Sequence, residues 1–138
     1  DMLADGITPV HSVEELYQNN QYVSLHIPAT PQTKKSVGKA LIELMPKNGV
    51  LINTARKEVI DEESLAEALA AREDVRYVAD VKPDIAAELE EKYPERVLFT
   101  PKKMGAQTAE ANINAGLAAA NQVAMHLKDG WNRFQVNK

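Results

Sequence analysis

The sequence predicts an α/β fold built on a parallel sheet. Three observations carry that reading. Short β-rich runs alternate with helical patterns along the chain, the signature of right-handed βαβ crossovers. The 138 residues, 44% of them hydrophobic, fit one domain with a core of its own. No internal repeat or low-complexity tract suggests another architecture.

The elements follow in order. Ser12, with Glu15 three residues later, makes a capping box for a short helix over Val13 to Asn19. "YVSLHI" (Tyr22 to Ile27) is a first strand stopped by Pro28. "KALIELM" (Lys39 to Met45) gives a turn or two of helix, and Gly49 precedes a second strand over Val50 to Thr54. Asp61 is the N-cap of "EESLAEALAAR", whose Leu65, Leu69 and alanines line one face. Val75 to Val81 and Arg96 to Thr100 are the third and fourth strands, separated by the acidic "AAELEEKYPER", a solvated helix face. The last element is long. Thr108 to Lys128 carries Ile113, Leu117, Ala120, Ala124 and Leu127 at helical spacing, and Gly130 stops it.

Composition excludes several functions. A net charge of −4 and only 5% aromatic residues argue against a nucleic-acid surface. With no cysteine, disulfides and thiolate metal sites are excluded, and no metal site is expected. No apolar run approaches the roughly 18 residues of a membrane helix, and no signal-like start is visible. The expectation is a soluble, cytoplasmic protein without nucleic-acid or membrane partners.

In such a sheet the ligand lies beyond the carboxyl ends of the strands. Those ends carry His26 and Pro28, then Thr54, Ala55, Arg56 and Lys57, then Asp80, Lys82 and Asp84, and finally Lys102 and Lys103. The cationic rim suits a small anionic substrate. Lys57 and Lys82 read most simply as solvated charges. Arg56 stands out, as a lone arginine where a strand ends in a tight turn. His26, judged alone, reads as a structural histidine.

Together, "VSLHIPATPQTKKSVGKALIELMPKNGVLINTARKEVIDEESLAEAL", "VADV" and "FTPKKMGAQTAEA" resemble the D-2-hydroxyacid dehydrogenase family. The likeness covers nearly everything from Val23 to Lys128, with motifs in family order and spacing. It implies a Rossmann-type NAD-binding domain. It also implies an oxidoreductase moving a hydride between NAD and a D-2-hydroxy acid. The expected substrate is D-3-phosphoglycerate, which feeds serine biosynthesis; glycerate and erythronate phosphate are the other candidates. By the same resemblance, His26 and Pro28 match an "HxP" beside the cofactor. Thr54, Ala55 and Arg56 match a "TAR" turn near the nicotinamide ribose, and Arg56 would clamp the substrate carboxylate. Asp80 matches the acid that accepts a hydrogen bond from the nicotinamide carboxamide.

Three positions depart from the family pattern. Lys57 stands where the family has glycine, and Ile85, beside Asp84, stands where it has a histidine-orienting glutamate. The family's catalytic histidine lies in "TPHIGA", whereas this chain has the longer "TPKKMGA". Counting from Pro101 puts Lys102 in its place; counting back from Gly105 puts Lys103 there. Adjacent ammonium groups repel, and a substrate closing over them desolvates both, so one is expected to titrate low enough to act as general base. The other would stay charged and attract the substrate. The bland alternative is that both only bind anions.

The glycine-rich phosphate turn of a dinucleotide site is absent, as is the acidic residue about 20 positions later. The chain therefore reads as the C-terminal half of an NAD-binding domain (residues 1–128) followed by a tail belonging to the substrate domain (129–138). On this reading the parent is catalytic and the fragment is not. A non-catalytic, NAD-sensing, partner-binding relative is the competing class, and a ligand-free interaction domain is a weaker one. An open edge at the first strand and an alanine-rich helix face (Ala115, Ala118, Ala119, Ala120) further predict a homo-oligomer.

Overall fold

The computed structural model of the chain describes residues 5–102 and 108–136. They form two compact units, divided between Lys103 and Met104. The first holds α1 (Val13–Asn19), β1 (Tyr22–Leu25), α2 (Lys39–Leu44), β2 (Val50–Asn53), a 3-10 turn (Lys57–Val59), α3 (Glu62–Ala71), β3 (Arg76–Ala79), α4 (Ala86–Lys92) and β4 (Val97–Phe99). The second is built around α5 (Ala109–Asp129).

The four strands form one parallel sheet in the order β1-β2-β3-β4. Crossovers of one hand, all stepping in one direction, must lie on one face. The burial pattern shows this. Val23, Leu25, Leu51, Tyr77, Ala79, Val97 and Phe99 are buried in one core with Tyr17 of α1, Ile42 of α2, Leu65 and Leu69 of α3, and Leu89 of α4. The opposite face is open: Tyr22 is 66% and Leu98 63% exposed, and Ser24 is exposed too. An all-parallel sheet normally has both faces covered. Along each strand, burial alternates between buried residues on one face and exposed or half-buried ones on the other.

Local chemistry explains most element ends. Ser12 Oγ accepts from Glu15 N at 3.0 Å, as the capping box requires. The returning arm differs, because Glu15 Oε2 takes the His11 amide at 2.9 Å rather than that of Ser12. Asp61 occupies the N-cap position of α3, but its carboxylate makes no capping bond. Its backbone is engaged elsewhere: its amide donates to Val37 O beside the Val37–Ile60 bridge. Arg72 closes the bottom of the sheet. Its guanidinium donates to the carbonyls of Glu43 in the last turn of α2 and of Met45 and Pro46 just past it, and pairs with Asp74 at 2.8 Å. Thr108 caps α5 through Ala111 N at 3.0 Å, and Gly130 ends it in the left-handed region (φ 66°), where glycine has no Cβ penalty. No residue of α5 is buried, and Ile113 and Leu117 are 61% and 58% exposed.

Every strand is shorter than its sequence run. They end side by side in one row, Leu25–Asn53–Ala79–Phe99. That row is the floor of the candidate site.

Candidate functional site

Beyond the floor, the loops after β1 and β2 meet. His26, Ile27, Pro28, Thr54, Ala55 and Arg56 line one open cleft of about 360 Å³. A second cleft, about 570 Å³, lies between Arg56, Lys57, Glu58, Val81 and Lys82. Arg56 borders both.

The turn that carries Arg56 is built by Asn53. This side chain is fully buried. Its Oδ1 accepts from Ala55 N at 3.0 Å, and its Nδ2 donates to Arg56 O at 2.9 Å. Arg56 uses one donor, Nη1, on Ala55 O at 3.0 Å. Among the described residues no carboxylate pairs with it. An exposed guanidinium with no counter-ion among the described residues, bordering two clefts, suits an anionic ligand.

His26 lies just past β1, exposed, with its Nε2 2.9 Å from Ser24 Oγ. Asp80 follows β3 and is buried, at 8% exposure. The Thr100 hydroxyl donates to its Oδ1 at 2.9 Å, and its amide donates to Asn53 O at 3.0 Å. Lys102 is exposed, and its carbonyl lies 3.1 Å from Thr100 Oγ1. Lys103 lies outside the described residues.

Two expected members of the cationic rim are neutralised by partners. Lys57 Nζ sits 2.7 Å from Asp84 Oδ1, and Lys82 Nζ 3.2 Å from Glu90 Oε2. The bond from Asp84 raises the Lys57 ammonium above its ordinary pKa, so Lys57 stays protonated and is no base. Neither lysine is a lone solvated charge, although both pairs are exposed and salt-screened. Glu62, at the start of α3, also braces this loop, taking the amides of Asp84 and Ile85 at 3.0 and 3.2 Å. Among the described residues no group of three or more His, Asp and Glu could hold a metal ion. Asn53 and Glu62 were missed as site-building residues. Asn53 stands just before the Thr54–Arg56 turn in the sequence, but nothing in the sequence shows where its carboxamide points.

Residues 2–102 match the D-isomer specific 2-hydroxyacid dehydrogenase, NAD binding domain family. The chain belongs to this family. It is 35% identical over 129 residues to D-3-phosphoglycerate dehydrogenase of Methanocaldococcus jannaschii, covering 89% of this chain and 24% of that protein. It is 34% identical over 134 residues to D-3-phosphoglycerate dehydrogenase of Haemophilus influenzae, covering 93% and 32%. The structure of NAD+-bound 3-phosphoglycerate dehydrogenase from Entamoeba histolytica matches with TM-score 0.80 and 44% identity, over 96% of this chain and 45% of that one. The chain thus spans 24–45% of the length of these relatives. The family's cofactor is NAD, and the parallel sheet with its final long helix is the Rossmann-like fold expected of its NAD-binding domain.

The residues at these strand ends are of a kind that could hold part of that cofactor. A carboxylate accepts up to about four hydrogen bonds, so Asp80 can take both the Thr100 hydroxyl and a carboxamide N–H. The cleft over Thr54 and Ala55 offers backbone and a small side chain, which permit close approach.

Proposed function

We propose that this chain supplies the nicotinamide-side half of the cofactor site and the substrate clamp of a cytoplasmic D-2-hydroxyacid dehydrogenase acting on D-3-phosphoglycerate. The observation that carries the proposal is Arg56, a guanidinium with no carboxylate partner among the described residues, set between two clefts at the strand ends. The likeness to phosphoglycerate dehydrogenases supports the substrate.

Each residue then has a task. Arg56 grips the substrate carboxylate with two parallel N–H bonds and so fixes C2. His26, Pro28, Thr54 and Ala55 line the cofactor cleft, and Asp80 orients the carboxamide. NAD, when bound, supplies the hydride acceptor. Lys102 or Lys103 takes the hydroxyl proton as the C2 hydride leaves, so the products are a 2-oxo acid, NADH and a proton. The lysine that is not the base holds the second anionic group.

The test is turnover by the complete protein carrying this chain, followed by NADH formation across phosphoglycerate, glycerate, erythronate phosphate and lactate. Preference for phosphoglycerate is expected. Tight NAD binding with no turnover of any 2-hydroxy acid would favour the NAD-sensing reading instead. By itself the 138-residue chain is proposed to be inactive. Residues 129–138 are proposed to belong to the substrate domain. The chain is further proposed to self-associate, since exposed Tyr22, Leu98, Ile113 and Leu117 leave apolar surface on both units. Light scattering at micromolar concentration checks this, and a monomer would refute it.

A further inference from the structure

We infer that Asn53 is a positioning residue: its buried carboxamide sets the turn that aims Arg56 and keeps that turn in register with Asp80. The inference rests on the role proposed for Arg56. Its starting point is a misfit. The row that ends the sheet is Leu25–Asn53–Ala79–Phe99, three apolar residues and one amide. A carboxamide at 0% exposure is costly unless it is hydrogen-bonded, and any aliphatic residue would complete the row more cheaply. The sheet itself has no use for it.

The turn does. Oδ1 meets an N–H (Ala55, 3.0 Å) and Nδ2 meets a C=O (Arg56, 2.9 Å), so only one orientation of the amide satisfies both. The two bonds grip the chain on either side of the Arg56 Cα, from which the guanidinium projects. The second Nδ2 proton points to the Tyr77 hydroxyl at a long 3.4 Å. Tyr77 is buried edge-on against Phe99, with ring centroids 5.8 Å apart, so this partner cannot drift. The Asn53 carbonyl meanwhile accepts the Asp80 amide at 3.0 Å. One residue therefore touches the backbone of both groups assigned to substrate and cofactor.

A merely structural asparagine and a positioning one differ in what they depend on. If Asn53 acts through Arg56, its loss matters only while Arg56 is there. In the complete protein, Asn53→Ser should lower kcat/KM at least about tenfold, but less than about threefold in the Arg56→Lys background. Any change in NAD affinity should be the same in both backgrounds, because the Thr54–Ala55 backbone that Asn53 sets does not depend on the Arg56 side chain. Equal losses in the two backgrounds would overturn the inference. Should Asn53→Ser fail to fold, the isosteric Asn53→Asp, which keeps the acceptor and loses the donor, takes its place in the same cycle. Amide hydrogen exchange supplies a readout independent of turnover. The Ala55 amide should be protected in the unsubstituted protein and lose at least about tenfold of that protection on substitution, while Leu51 and Tyr77 amides keep theirs. An unprotected Ala55 amide, or a uniform loss across β2 and β3, would overturn the inference. If the unsubstituted protein turns over no 2-hydroxy acid, the functional reading fails and the exchange result alone decides the role of Asn53.

Discussion

Replacing Arg56 by lysine removes a fork and keeps a charge, which isolates what the guanidinium geometry contributes. Nη1 is engaged with the Ala55 carbonyl at 3.0 Å, which leaves the Nε–Nη2 edge to face a carboxylate. An ammonium on a shorter reach cannot hold the Ala55 carbonyl and two carboxylate oxygens together. It loses one of two charge-assisted bonds, each worth about 1.5–3 kcal/mol. By transition-state arithmetic that lowers kcat/KM by about tenfold to 150-fold. Because the carboxylate is then held at one point, C2 swings, and kcat should fall along with the rise in KM. The Thr54 and Ala55 backbone that faces the cofactor cleft is set by Asn53, not by the Arg56 side chain, so NAD affinity should hold. Steady-state NADH formation by the complete protein, with NAD binding measured by fluorescence quenching, gives both quantities. A variant retaining more than about a third of kcat/KM has lost under 1 kcal/mol, and the carboxylate clamp would have to be sought elsewhere.

Two other predictions concern charge. Of Lys102→Ala and Lys103→Ala, one should abolish turnover and the other chiefly raise KM, and the basic limb of the kcat/KM pH profile should vanish in the inactive variant. Normal turnover in both would move the base to His26. Asp74 is held well below the usual carboxylate range, first by its bond from Arg72 and then by the Asn48 amide at 2.7 Å. Its folded-state pKa is the lower one, so its contribution is complete above the unfolded value near 3.9 and is lost as pH falls below that. Urea midpoints should therefore drop more steeply between about pH 4 and pH 2 in the unsubstituted chain than in Asp74→Asn. Parallel curves would remove Asp74 from the acid sensitivity.

The order of elements was legible because each strand and helix announces itself locally: Ser12 and Thr108 at helix starts, Gly130 at a stop, Val and Leu runs between. What the sequence could not show was where strands end. Tyr22 to Ile27 has β-rich residues throughout, yet β1 stops at Leu25 because its partner β2 stops at Asn53, where the side chain diverts the backbone into the Arg56 turn. A strand ends where its neighbour does, and register across a sheet is not written in either strand alone. The same limit hid the rim's electrostatics. Lys57 finds Asp84 27 positions away, and Glu62 reaches the Ile85 amide 23 positions away. Both contacts exist only because the crossover through α3 brings the loops after β2 and β3 together.

Those contacts also bear on the departures from the family pattern. At two positions where the chain differs, Lys57 for glycine and Ile85 for glutamate, the residues present lie on the same pair of loops. Lys57 ties the Arg56 turn to Asp84, next to Ile85, and Glu62 braces the amides of both Asp84 and Ile85. Here the loop after Asp80 is therefore held from the side of α3 and the Arg56 turn. A carboxylate at position 85 has no histidine to orient when lysines stand in "TPKKMGA", and an apolar Ile85, half-buried against the core, stabilises the start of α4 instead. Lysine in place of histidine and isoleucine in place of glutamate are thus consistent with each other. If a lysine is the base, as proposed above, it carries no imidazole and needs no second carboxylate to fix a tautomer.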